Sequence, residues 1–414
     1  MLKRATLLLI SVLCGLIASS QSKNLSYYLE QADKNSPLLN EYKNQAASAR
    51  YDSMLVFSSR KPQVEFNTSL QYSPYNDKFG YDEVITDGGN YSVLAGVTQN
   101  IFSRREYENR LLAASLLRNS ALNSAEITRI DLVKVVTSQY LTAYADQTDI
   151  DFNTGFLDLF RKELEITGAL VKTGSAKETD YLSLLNEAHA QEILIKQLKR
   201  QLHNDVYLLN QLCGIYDSVR FDLQQPDIHL DGRADVKKDP SFMKFTIDSL
   251  RMENDKNAID IRYRPRIKWF ADAGLLTSTP WNFYRHFGFS AGLSLAVPIY
   301  DGNQRNIEKN KLILEENSRQ FYRDNYQNQY YFRLKQLEDE MNMLNEIEAS
   351  VDAQLKTAVL LSEALKKQLE SGIVQMTEYI NALRSQKTAS RDINMIRIGR
   401  MQVINEINSV LKKY

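Results

Sequence analysis

Residue types able to do chemistry are few in this 414-residue chain, and their spacing does not gather them. The histidines are His189, His203, His229 and His286. The 14-residue step from His189 to His203 does not give the i, i+4 pair that a helical zinc site needs. There is no Gly-x-Ser-x-Gly, no phosphate-cradling glycine loop and no paired-cysteine motif. Asp146, Asp149 and Asp151 form a loose acidic cluster lacking the glycine and distal glutamate of a calcium loop. A solvated helix face or a helix break is their expected setting. No metal or cofactor is implied, and an enzyme is a distant reading. The 51 basic and 51 acidic side chains give zero formal charge, which argues against a nucleic-acid partner. Function must therefore be sought in the elements themselves.

Proline placement outlines those elements. The eight prolines, at 37, 62, 74, 226, 240, 265, 280 and 298, leave residues 75–225 and 299–414 with none. Proline in a helix interior costs about 3 kcal/mol, so these two tracts predict very long helices rather than a compact α/β enzyme. Residues 1–20 read as a secretory signal peptide: Lys3 and Arg4, an apolar run from Leu7 to Leu13 with Ile17, then Ala18 and Ser20 before a cut at Gln21. Cys14 raises a lipoprotein, but Leu13 stands where a small residue normally precedes the lipidated cysteine, so simple cleavage is favoured. Cys213, beside Leu209 and Leu212, is expected to be a buried hydrophobe. No later window approaches 18 apolar residues, so no transmembrane helix is expected.

The chain repeats itself. Pro37 and Pro62 are matched by Pro240 and Pro265 at an offset of 203. Ile101-Phe102-Ser103, Gly174, Thr179-Asp180-Tyr181 and Leu185 are matched by Ile299-Tyr300-Asp301, Gly372, Thr377-Glu378-Tyr379 and Leu383 at an offset of 198. Two constant offsets imply one five-residue length difference between Pro62 and Ile101. The mature chain is thus read as a first repeat, 21–213, a connecting segment, 214–239, and a second repeat, 240–414. Each repeat has a helix of about 30 residues, a β-hairpin (about 62–102 and 265–300), and a long helical hairpin turning near 174 or 372.

The hairpins alternate. Val64, Phe66, Thr68, Leu70 and Tyr72 interleave with Gln63, Glu65, Asn67, Ser69 and Gln71. Ile267, Trp269, Ala271, Ala273 and Leu275 interleave with polar or small residues, Phe270 excepted. Tyr91 to Val97 and Phe287 to Val297 continue the pattern. Two readings compete. Either one face covers a soluble core, or the apolar face meets lipid and the polar face meets water. The signal peptide and the aromatics near the hairpin ends (Tyr72, Tyr75, Trp281, Phe283, Tyr284) favour lipid. Four strands cannot close a barrel, so this second reading demands an oligomer sharing one barrel, a dimer or a trimer.

The helical tracts carry coiled-coil seams: Ile195, Leu198, Leu202, Val206, Leu209 and Cys213; Ile393, Ile396, Arg400, Val403, Ile407 and Val410; and Leu157, Leu164 and Val171. Arg104 to Thr173 would extend about 105 Å if straight, with Gly155 a candidate interruption. Thr173-Gly174-Ser175 and Ser371-Gly372-Ile373 are the expected reversals.

In this order and spacing the motifs resemble the TolC-like outer-membrane efflux proteins over essentially all of 25–414. Asn35-Ser36-Pro37 and Lys238-Asp239-Pro240 are similar to the family's Asn-Pro near each repeat start. Val297-Pro298-Ile299-Tyr300-Asp301-Gly302 resembles its closing hairpin motif, with Gln99 to Arg104 a weaker copy. Thr173-Gly174 through Asp180 and Ser371-Gly372 through Glu378 resemble its two tip motifs. The resemblance implies a mainly α chain with membrane β-hairpins: a TolC-like α-helical barrel plus four strands per protomer of a shared 12-stranded β-barrel, in two structural repeats. It implies a homotrimer in outer-membrane lipid, with a tunnel in the periplasm. An adaptor (membrane-fusion) protein and an inner-membrane transporter open the tunnel, as the passive exit duct of a tripartite efflux pump or type I secretion system.

The resemblance also places Glu378 and Asn381 at the periplasmic constriction, where other members carry two acidic residues. Asp180 keeps the acidic position of the tip closure, while Leu369 and Val374 replace the family's tyrosine and arginine. Lys177 or Gln375 substitutes, or packing holds the tip. Thr173, Gly174, Ser175, Ser371, Gly372 and Ile373 become the hairpin tips and adaptor contacts. The alternative is an exported, non-conducting coiled-coil scaffold or adhesin whose hairpins form a small soluble head.

Overall fold

Local chemistry sets the first boundary. Asn24 caps the opening helix, its side chain accepting from the Tyr27 N–H at 3.0 Å. The computed structural model describes residues 23–74, 79–81, 88–174, 176–216, 222–230, 235–371 and 373–411. The expected signal peptide with Cys14, and Tyr75, Ser175 and Gly372, lie outside the described residues. Instead of one helix of about 30 residues, the first repeat opens with two, α1 (Leu25–Asn35) and α2 (Pro37–Ser58). Ser36 between them is extended because the following proline ring disfavours helical geometry in the residue before it.

Strands β1 (Gln63–Tyr72) and β2 (Gly89–Ile101) follow, then α3 (Arg104–Lys172) and α4 (Glu178–Leu212). The second repeat runs α5 (Pro240–Arg262), β3 (Arg266–Thr277), β4 (Phe287–Ala296), α6 (Gln304–Glu370) and α7 (Met376–Leu411). The two-repeat layout is therefore present, with Pro37 and Pro240 each at the first position of a helix, where a missing N–H is tolerated. Helix α3 continues for 69 residues straight through Gly155. A lone glycine costs only about 1 kcal/mol, which a helix of this length absorbs. Thr148 and Thr154 bond back to the carbonyls of Tyr144 and Ile150, so their hydroxyls do not break the ladder either.

Contacts divide the chain into two units. The first comprises the described residues of 1–40, 126–240 and 326–414; the second, those of 41–125 and 241–325. In the first, Tyr28 and Ala32 of α1 pack on Val136, Tyr140 and Ala143 of α3 and on Leu202, Leu209 and Cys213 of α4. The Tyr140 hydroxyl donates to the Lys23 and Gln224 carbonyls at 3.2 and 2.7 Å, tying both flanking segments to this core. Cys213 is fully buried as expected, and burial pushes its thiol up to about 12. A second cluster joins Leu157 and Phe160 of α3, Leu184 and Ala188 of α4, and Met376, Tyr379, Ile380 and Leu383 of α7. Val403 and Ile407 of α7 pack on Leu337 of α6. Arg400, the polar interruption of that seam, pairs with Glu348 of α6.

The second unit holds one antiparallel sheet in the order β1-β2-β3-β4. Its register aligns Phe66, Ala95, Ala273 and Phe289 in one cross-strand row, and Val64, Val97, Ala271 and Ala291 in another. One face is thus apolar across all four strands. Among the described residues nothing covers it at β1 and β4: Val64, Phe66, Leu70, Phe287, Phe289 and Leu293 are each 70 to 86% exposed. Tyr72, Trp281 and Tyr284 are exposed near the loop end. The soluble-core reading of the hairpins needs this face covered, and it is bare. On the opposite face Phe270 breaks the alternation because it lies over Gly292; a Cβ at Gly292 would come within 2.7 Å of the Phe270 ring.

Gly274 and Gly288 face each other across β3 and β4 but differ in room. A Cβ at Gly274 would lie 2.0 Å from the Val93 carbonyl oxygen, whereas one at Gly288 meets nothing within 4 Å. Gly274→Ala should lower stability by about 1–3 kcal/mol in equilibrium chemical denaturation. Gly288→Ala should stay within about 0.5 kcal/mol of the parent.

Candidate functional site

Both helical reversals lie in the first unit and are built alike. Helix α3 ends at Thr173 and Gly174, Gly174 adopting a φ of +73° that glycine takes without strain. The Ala176 N–H then donates to the Leu170 carbonyl at 3.2 Å, a Schellman-type closure of the helix end. At the other tip the Ile373 N–H donates to the Gln368 carbonyl at 2.9 Å, and the Ser371 hydroxyl to the Lys367 carbonyl at 2.9 Å. Lys177 and Gln375 each immediately precede the returning helix. Their carbonyls accept from the N–H groups of Asp180 and Glu378, at 3.1 Å in both cases. The equivalence deduced from the 198-residue offset thus extends to single hydrogen bonds.

The acidic residues sit in the first turns of α4 and α7, where the helix dipole favours negative charge. Glu378 and Asn381 are exposed, on the side of α7 opposite Tyr379, Ile380 and Leu383. Thr173, Lys177, Ser371, Ile373 and Gln375 are exposed and Asp180 is half-buried. Among the described residues of the single chain, no side-chain bond joins Asp180 to Lys177 or Gln375. Glu378 and Asn381 likewise have no side-chain partner there.

Behind the tips, a buried polar link reinforces the apolar cluster that joins the helices. Glu163 of α3, 4% exposed, accepts from the Lys366 ammonium of α6 at 2.6 Å and from the Tyr379 hydroxyl of α7 at 3.3 Å. Burial, and then the Glu163 charge, raise the Tyr379 pKa, so the phenol stays a donor. One turn or two further along α7, Arg384 pairs with Glu187. Lys387 donates to Gln191 at 2.5 Å, and Gln191 in turn donates to Asn153 at 2.7 Å. Burial lowers the Lys387 pKa.

Of the acidic cluster in α3, Asp151 is exposed as the sequence suggests, but Asp146 and Asp149 are neither solvated nor at a helix break. Asp146 and Asp149 are 6% and 8% exposed, because α4 and α7 pack over this stretch. Asp146 accepts from Gln201 at 2.9 Å, and Arg391 lies 3.7 Å from Asp149. Burial, reinforced by the Asp205 carboxyl, pushes Asp146 well above the usual carboxylate range. Burial raises Asp149 against the pull of Arg391.

No family model and no curated protein matches the chain. Solved structures do. It superposes on the outer-membrane channel OprN with a TM-score of 0.76 at 13% identity, covering 94% of this chain and 90% of that one. For CusC the TM-score is 0.77 at 12% identity, with 95% and 93% covered. For the outer membrane protein VceC of Vibrio cholerae it is 0.76 at 11% identity, with 94% and 96% covered. The chain has the TolC-like fold.

At 11–13% identity a TolC-like backbone survives with nearly all side chains changed, so site residues need their own argument. The sequence pattern located both helical reversals but missed the Glu163–Lys366–Tyr379 link. The available signal was Phe156, Phe160, Glu163 and Thr167, a helical stripe with a carboxylate where an apolar residue is expected. All four are buried, whereas Leu164 and Val171 of the proposed seam are only half-buried.

The buried Asp146 carries a pH signature. Its folded-state pKa lies above the unfolded value of 3.8, so the folded chain holds more protons, and stability falls as pH rises from about 4 to about 7. Asp146→Asn should flatten that decline and make the chain more stable than the parent at pH 8, read from denaturation midpoints across pH 4–8.

Proposed function

We propose that this chain is an outer-membrane channel, a passive exit duct for a tripartite efflux pump or a type I secretion system. The observation that carries the reading is the bare apolar face of a sheet whose outer strands, β1 and β4, each leave one edge unpaired among the described residues. Such a sheet is stable when its face meets lipid and its edges pair with other copies. Three copies of four strands give the twelve-stranded barrel of the trimer. The signal peptide, cut before Gln21, delivers the chain across the inner membrane. The alternative, an exported scaffold with a soluble head, would leave this apolar face in water.

The helical hairpins of the two repeats then form the periplasmic tunnel. Thr173, Gly174, Ser175, Ser371, Gly372 and Ile373 form the end met by a periplasmic adaptor, which acts with an inner-membrane transporter. Glu378 and Asn381 line the constriction. Their exposure within one chain supports this role, since side chains without an internal partner are free to face the axis or a neighbouring copy. Asp180 closes the tip through Lys177 or Gln375 of an adjacent protomer, while the Glu163–Lys366–Tyr379 link holds each protomer's hairpins as one body.

Extraction from membranes should require detergent, migration in gels should be heat-modifiable, and the purified chain should conduct in planar bilayers. Release into aqueous buffer together with absence of current would favour the scaffold. Within a conducting channel, Glu378→Ala removes three carboxylates per trimer and should change conductance or cation preference. Unchanged values of both would remove the constriction assignment.

A further inference from the structure

At the base of the sheet the second unit contains a cavity of about 510 Å³, in the size range of small-molecule sites. Part of its lining is apolar, from Ile101, Phe102 and Ile261. Four cations also line it, Arg110, Arg262, Arg266 and Lys268, against a single carboxylate, Glu106. Two of the cations are already committed. Arg110 pairs with Glu106 at 2.8 Å and lies 4.7 Å from the Phe102 ring centroid, and Arg262 pairs with Glu308 at 3.0 Å. Arg266 and Lys268 have no ion pair or side-chain hydrogen bond among the described residues and are exposed. They are two residues apart on β3, hence on one face, the polar one. Lys268 shares its cross-strand row with Asn100 and Ser294, both also in the lining and both able to hydrogen-bond a ligand.

We propose that this cavity binds amphipathic organic anions, a carboxylate or sulfonate carried on a compact hydrocarbon body. Arg266 and Lys268 hold the anionic head, the guanidinium offering paired N–H donors and the ammonium a point charge. Phe102 and Ile261, beyond the strand end, receive the body. A concave site with two uncommitted positive charges and its only carboxylate neutralised attracts anions over neutral molecules of the same shape. The site itself stands on the geometry of the second unit. Its place on a cargo's route rests on the channel reading, in which the polar face of the sheet lines the water path and six such cations ring the base of the barrel.

The test uses the full chain in a non-ionic detergent, with naphthalene-2-sulfonate as the probe in equilibrium dialysis and naphthalene-2-sulfonamide as its uncharged counterpart. Saturable sulfonate binding is expected, at least tenfold weaker in the Arg266→Gln/Lys268→Gln variant, with the sulfonamide at least tenfold weaker on the parent chain. Equal binding by parent and variant, or of sulfonate and sulfonamide, overturns the site. Displacement of the probe by phosphatidylglycerol but not by phosphatidylcholine would assign the pocket to a lipid headgroup and overturn the soluble-cargo class. Lack of displacement supports it. Bilayer recordings separate the two readings. A chain that binds the sulfonate but passes no current keeps the site and loses the channel, and one that conducts without binding loses the site alone.

Discussion

A β-sheet with an apolar face and two unpaired edges cannot be left alone in any solvent. In water the face costs roughly 25 cal/mol for every square ångström exposed. In lipid the face is satisfied, but each unpaired N–H and C=O at the edge costs several kcal/mol. The sheet of this chain has both properties, and the rest of the structure is compatible with one resolution of them, in which edges pair between copies and the face meets hydrocarbon. The long helices add a second demand. Helix α6 exposes Leu314, Phe321, Tyr322 and Phe332 in its first half, apolar surface that a solitary helix would not display to water.

Much of this was legible in the sequence because the signals are periodic. Alternation by two across Gln63–Tyr72 can be satisfied by a strand and not by a helix. The 198-residue offset fixed which tip residues are equivalent, and Lys177 with Gln375, or Asp180 with Glu378, do make the same backbone bond. Proline-free length predicted α3 and α6, and the break at Ser36–Pro37 was missed only because two helices separated by one extended residue look continuous in hydrophobic pattern.

The polar interior was not legible. Asp146 and Asp149 read as a solvated face or a helix break, and Glu163 was not singled out at all, because charged side chains on long helices are usually exposed. Their burial depends on which faces of α4, α6 and α7 cover them, which no local pattern encodes. Lys366 lies 203 residues from Glu163, and Arg391 is more remote still from Asp149. Such contacts follow from tertiary placement, and the surrounding seams of Leu, Ile and Ala fix that placement only after packing. The converse holds at the tips. There the side chains of Glu378 and Asn381 have no partner among the described residues, so a single chain constrains their position little beyond the backbone that carries them.

The pairing of β2 with β3 has a kinetic consequence. Gln99 and Trp269, bonded side chain to side chain across that seam at 2.9 Å, are separated by 170 residues of chain. The β1–β2 hairpin and the long helix after it need only nearby contacts and can form early. The middle of the sheet must wait until β3 has followed, because non-local pairing closes a far larger loop. During that interval one hairpin has two exposed edges and an amphipathic face in an aqueous compartment, the condition under which strands pair with the wrong partner. The duplicated order of the chain, helix-hairpin-helix twice over, therefore makes the interval between the two repeats the vulnerable stage of folding, when the first hairpin has formed and its β3 partner has not.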